Sequence, residues 1–100
     1  MTVIYHRPDD TEAFDAHYAS THAPLAQAMP GLRSFTTSSP APGPDGSAPP
    51  EHLVAVLTFD DQAAFVAATR SDEGKAAVAD VDTFATGGAL ILTGEVTTWT

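Results

Sequence analysis

The chain has no cysteine, so disulfides, thiolate metal sites, iron–sulfur clusters and cysteine nucleophiles are excluded together. It is also poor in cations, with 4 Lys and Arg against 13 Asp and Glu and a formal net charge of −9. That balance makes nucleic acid and anionic membrane surfaces poor partners. No stretch approaches the roughly 20 consecutive apolar residues of a membrane span. The opening Met1-Thr-Val-Ile-Tyr-His-Arg7 has neither a basic leader nor a long apolar core, which points to a cytoplasmic protein. No GxSxG elbow, HExxH pair or GxGxxG cradle occurs; Gly87-Gly88 lacks the last spacing. A serine-hydrolase site, a bound metal and a tightly held nucleotide or flavin are therefore not expected, and no cofactor is called for.

What is present reads as a single domain over residues 1–100 with one modest core, since folding at this length buries about two-thirds of the chain's surface. Val3-Ile4-Tyr5, bounded by Arg7-Pro8, predicts a first strand, and its early start predicts a central place in the sheet. Asp9, Asp10 and Thr11 can cap a helix from about Thr11, with Glu12 adding favourable charge to the first turn. At about 100° per residue, Phe14, Tyr18, Thr21, Leu25, Ala28 and Met29 form its apolar stripe. His17 and His22 fall on opposite edges of that stripe, about 140° apart. Pro24 cannot donate an N–H and disfavours helical geometry at Ala23, so the helix should kink or restart near His22.

Pro30-Gly31 ends the helix, and Leu32 to Thr37 has the composition of strand two. Residues 38–50 turn abruptly to Pro, Gly, Ser, Ala and Asp, a long flexible loop without the flanking pattern of a proline-recognition ligand. Leu53 to Phe59 is apolar throughout and reads as a third strand buried on both faces. Asp60 is the expected cap of a second helix, and Ser71-Asp-Glu-Gly a fresh cap that breaks it at Arg70-Ser71, with the second part running to about Val81. Ala89 to Thr93, and Glu95 to Trp99 beyond a bulge at Gly94, complete the sheet.

The order β-α-β-β-α-β is the ferredoxin-like α+β arrangement, a four-stranded antiparallel sheet with both helices on one face. The other face is then left apolar by strand three and Leu90-Ile91-Leu92, and the simplest cover is the same face of a second copy. A homodimer is the expectation.

Two histidines and a tyrosine are the candidates for chemistry. A neutral imidazole beside a cavity can move protons at neutral pH, which would suit enolisation, isomerisation or decarboxylation at His22 or His17. The plain alternative is that one of them bonds carbonyls freed by Pro24 while the other sits in water. They are five apart, not the four apart that stacks two ligands on one helical face, and His6, His52 and Asp80 could join them only through the fold. Tyr18 could donate a proton or orient a carbonyl oxygen. Tyr5, Phe35, Phe65, Phe84 and Trp99 could line a pocket for a small hydrophobic or aromatic molecule, though such residues are as readily plain core.

Tyr5, Asp9, Phe14, His17-Tyr18, His22, Pro24-Leu25 and Pro30-Gly31-Leu32 together resemble the EthD family of dimeric α+β barrel proteins. The resemblance implies pairing of two protomers into one barrel, and carries the pattern H-Y-x-x-x-H-x-P-L onto His17, Tyr18 and His22. It leaves two functions open. One is a cofactor-independent lyase, isomerase or oxygenase acting on an aromatic or polyketide-like molecule. The other is a non-catalytic ligand-binding or accessory protein that supports a partner oxygenase of the ether-degrading type.

Overall fold

The computed structural model describes all residues, 1–100. Strand β1 spans Thr2–His6, β2 Leu32–Ser38, β3 Glu51–Phe59 and β4 Ala89–Leu92. They form one antiparallel sheet in the order β2-β3-β1-β4, which puts β1 in the interior as its early start implied. Val3 aligns with Ala55 on one side and Ile91 on the other, so alternation sends Val3, Tyr5, Ala55 and Leu57 to one face. All four are buried beneath the helices.

The opposite face carries Ile4, Val54, Val56, Leu90 and Leu92, and it is open: Val56 is 36% exposed and Leu92 49%. Within the protomer β3 is thus covered on one face, not on both. No helix is long and apolar enough to cross a membrane.

The first helical segment is a bent run: α1 (Thr11–His17), a π-helical turn (Tyr18–His22) and α2 (Ala23–Gln27). Asp10 caps it by accepting from Ala13 N–H at 3.1 Å. The disturbance expected from Pro24 takes the form of that wide turn, in which Ala23 N–H reaches back to the carbonyl of Tyr18. Pro24, with no N–H to give, then sits in the first turn of α2 where none is needed. The wide turn also changes the phase of the buried face. Phe14, Tyr18, His22 and Ala26 are buried at intervals of four, whereas Thr21 and Ala28, placed on the apolar stripe by the ideal wheel, are exposed.

The second helical region is α3 (Gln62–Arg70) and α4 (Asp72–Phe84), broken at Ser71. There Ser71 Oγ accepts from Gly74 N–H at 3.0 Å. Two sequence expectations need correction in this half. Asp61, not Asp60, caps α3, accepting from Ala64 N–H at 2.8 Å, while Asp60 pairs at the surface with Arg33. The sheet also stops at Leu92: Glu95–Trp99 has strand composition but pairs with no other backbone and forms no strand.

Candidate functional site

The first helical segment and α4 lie side by side and bring three ionisable side chains together. His17 ends α1, His22 ends the π-helical turn, and Asp80 stands on α4. His17 Nε2 is 3.0 Å from both carboxylate oxygens of Asp80, and His22 Nδ1 is 2.9 Å from Oδ2. Thr83 Oγ lies 3.0 Å from Oδ1, one turn along the same helix. A carboxylate only accepts, so His17 donates from Nε2 and His22 from Nδ1. His22 Nε2 is then an acceptor, and the phenol of Tyr5 lies 3.4 Å from it. The result is a chain Tyr5–His22–Asp80–His17 running from the sheet to the helix surface.

Burial sets the protonation states. Desolvation by itself would push the Asp80 carboxyl up, but hydrogen bonds from His17, His22 and Thr83 outweigh it and hold the group below the usual carboxylate range. His22 is lowered, because burial penalises the imidazolium by more than Asp80 favours it. At neutral pH the pair is a neutral imidazole on a carboxylate. Tyr5 is raised by burial and then by its neighbours Tyr18 and Asp80, and burial lifts Tyr18 to about 12. Both phenols keep their protons.

Aromatic rings enclose this chain. Phe84 lies 4.8 Å from His22 and 5.0 Å from His17, ring centre to ring centre, and is stacked on His17. Tyr18 lies 5.0 Å from His22 and 5.7 Å from Tyr5. His22 is only 5% exposed. His17 differs: its side chain is 31% exposed, its Nδ1 has no protein partner, and its ring lines a cleft of about 280 Å³ with Ala13, Phe14, Thr83, Phe84 and Asp9. His17 is the accessible member of the set and His22 the enclosed one.

The aromatic candidates separate. Tyr5, Tyr18 and Phe84 join the histidines. Phe65 packs against Phe59 in a second, larger cleft of about 330 Å³, bordered by Met1, Glu95 and Val96. Phe35 is half-buried on β2 opposite Leu57, and Trp99 is 89% exposed beyond the sheet. The fold does not bring these three to the histidines. Asp80 is the residue whose role sequence reasoning missed, having been weighed only as a remote metal partner. Its signal was present: it falls three residues after Ala77 and four before Phe84, a carboxylate on the buried face of α4.

Comparison with known proteins identifies the family and the fold. The EthD domain model matches residues 6–88. The chain belongs to the EthD domain family. That match takes in His17, Tyr18, His22, Asp80 and Phe84 and leaves out Tyr5 and Trp99. An uncharacterized 11.0 kDa protein of Rhodococcus erythropolis, from the thcB-thcC intergenic region, is 39% identical over 92 residues, which cover 92% of this chain and 88% of that one. The crystal structure of an EthD family protein from Bacillus halodurans superposes with a TM-score of 0.90 at 35% identity, covering 96% of this chain and 95% of the other. A dimeric ferredoxin-like protein of unknown function from Thermobifida fusca shares the fold at a TM-score of 0.63 and 16% identity, over 89% of this chain and 82% of that one.

Proposed function

We propose that this EthD-domain protein binds a small hydrophobic or aromatic molecule in the cleft beside His17 and moves a proton on it without a cofactor, as a lyase or isomerase does. The observation that carries this reading is the bond from His17 Nε2 to Asp80, with the ring lining the cleft and Nδ1 unpartnered. In that tautomer Nδ1 is the basic nitrogen. It would take a proton from carbon next to a carbonyl, the electron pair passing to the carbonyl oxygen as an enolate forms. The imidazolium so made would be held by Asp80 and would return the proton at another carbon. His22, donating to the same carboxylate, would fix its orientation. The second reading, a binding or accessory protein, is favoured by the enclosure of His22 and Tyr18, which line neither cleft.

The same reading includes a homodimer. The open sheet face is apolar at Ile4, Val54, Val56, Leu90 and Leu92, and the fold neighbour from Thermobifida fusca is described as dimeric.

One experiment tests the proton-transfer reading before a substrate is known. Small aromatic ketones are screened by NMR for binding, and bound ones are followed for solvent deuterium exchange at the carbon next to the carbonyl. Shifts at Phe14, His17 and Phe84, with exchange lost in His17→Gln, are the expected result. Binding at this cleft without exchange selects the accessory reading. Ligands that shift only residues elsewhere overturn both.

A further inference from the structure

We infer a substrate class for the cleft beside His17: an uncharged ring compound with its reacting carbonyl at His17 and a second, neutral oxygen at the far end, received by the hydroxyl of Thr86. This rests on the proton-transfer reading above. Acids are turned away, and Thr86 is the residue that sets this specificity.

Thr86 is the built part of the far end. Its Oγ1 accepts from Asp9 N–H at 3.1 Å, which fixes the oxygen on the wall of the cleft and leaves its own O–H without a protein acceptor. The turn that carries it is tied down. Thr86 N–H donates to Phe84 O at 2.9 Å, Gly88 N–H to Ala85 O at 3.0 Å, and His6 N–H to Gly88 O at 3.0 Å. Gly87 lies so close to the end of β1 that a Cβ there would come within 2.2 Å of the Arg7 carbonyl oxygen. A donor held in this way loses little freedom when a ligand arrives. Thr83, the other hydroxyl of the cleft, is already engaged, lying 2.6 Å from the Asp80 carbonyl oxygen and 3.0 Å from Oδ1.

Size follows from the helix. Asp10 and His17 stand at the two ends of α1, about 10 Å apart. A cleft of about 280 Å³ lies at the small end for ligand sites, and Ala13, Phe14 and Phe84 are its apolar lining. Two fused rings match that span and that lining.

Charge decides the class. Asp9 and Asp10 line the cleft, Asp80 stands behind His17, and no lysine or arginine is present. The cations of the chain are placed elsewhere: Arg7 reaches the Pro49 carbonyl, Arg33 pairs with Asp60, Arg70 ends α3, and Lys75 lies in the first turn of α4, far from Thr83 in the last. A carboxylate or phosphate on the ligand finds no counter-charge, and it adds to the negative charge that the enolate develops. An ammonium only donates, so it would leave the Thr86 O–H unpaired. A neutral keto or ether oxygen satisfies that donor at no cost in charge.

Four ketones test this by NMR titration: 1-tetralone, 6-methoxy-1-tetralone, 1-tetralone-6-carboxylate and 6-aminomethyl-1-tetralone. Shifts at Phe14, His17 and Phe84 mark the cleft, and deuterium exchange is followed at the carbon next to the carbonyl. The methoxy ketone should bind about threefold to tenfold tighter than 1-tetralone, and the acid about tenfold weaker or worse. Thr86→Val should abolish the methoxy advantage and Thr86→Ser keep it. Asp9→Asn retains the backbone donor to Thr86 and should narrow the gap between the acid and 1-tetralone. Equal affinities at this cleft, or no binding there by any of the four, overturn the inference, and exchange lost in His17→Gln would leave the proton-transfer reading standing. Tightest binding by the aminomethyl ketone, or a methoxy advantage that survives Thr86→Val, also overturns it. The expected order of affinities without exchange upholds the substrate class and hands the cleft to the accessory reading.

Discussion

The Nδ1–H of His22 meets Asp80 Oδ2 at 2.9 Å, joining residues 58 positions apart in sequence. This bond ties the π-helical turn to α4, and both side chains are nearly withdrawn from water, at 7% and 10% exposure. Asp80→Asn keeps the shape but replaces an anionic acceptor with an amide that can offer the histidines only one oxygen. The variant is expected to lose about 1 to 3 kcal/mol of stability, measured by urea unfolding. His17→Gln, at a half-exposed position, is expected to lose less than about 1 kcal/mol.

Acid should unfold the protein in two stages. The folded state holds His22 below its ordinary value of 6.5, so the unfolded chain binds the proton first. The stability from this group is complete above that value and is lost as pH falls through the lower folded one. Asp80 behaves alike from its ordinary value of 3.8 downward. Thermal midpoints should therefore decline below about pH 6.5 and again below about pH 4. His22→Gln should remove the upper decline alone, and a midpoint unchanged between pH 7 and pH 5 in the parent would contradict the assignment.

At the α3–α4 junction, a Cβ on Gly74 would come within 2.1 Å of the Ala68 carbonyl oxygen. The obstacle is backbone, so no rotamer change relieves it. Gly74→Ala is expected to cost about 3 kcal/mol or more by calorimetry, against a control, Gly94→Ala, that meets nothing within 4 Å.

On the open face, Val56→Lys puts a cation where two copies would meet while leaving the helix-covered core untouched. Light scattering should give a monomer mass with the circular dichroism of the parent. A persistent dimer would mean that the copies associate through another surface.

Much of the fold was legible because short-range chemistry and long-range packing agree. Asp10, Pro24, Ser71 and the alternation in β1 each act within a few residues of themselves. The site was legible only in part. His17, Tyr18 and His22 stand within one helical segment, but Asp80 joins them through helix packing that no local pattern encodes. Phe65 and Trp99 look like Phe84 in sequence and differ only in where their elements end up. Glu95–Trp99 shows the same limit: its propensity for strand was read correctly, but a strand exists only when another backbone lies beside it.

The wide turn over Tyr18–His22 holds one residue more than an ordinary helix uses to reach the same phase. Removing one residue between Tyr18 and His22 would return the Ala23-to-Tyr18 bond to ordinary helical spacing and leave the residues beyond it near their present orientation. A relative one residue shorter there would keep both histidines on the side facing α4, at a spacing of four instead of five. A one-residue gap in this segment therefore reads as a change of helix type and not as loss of the pair.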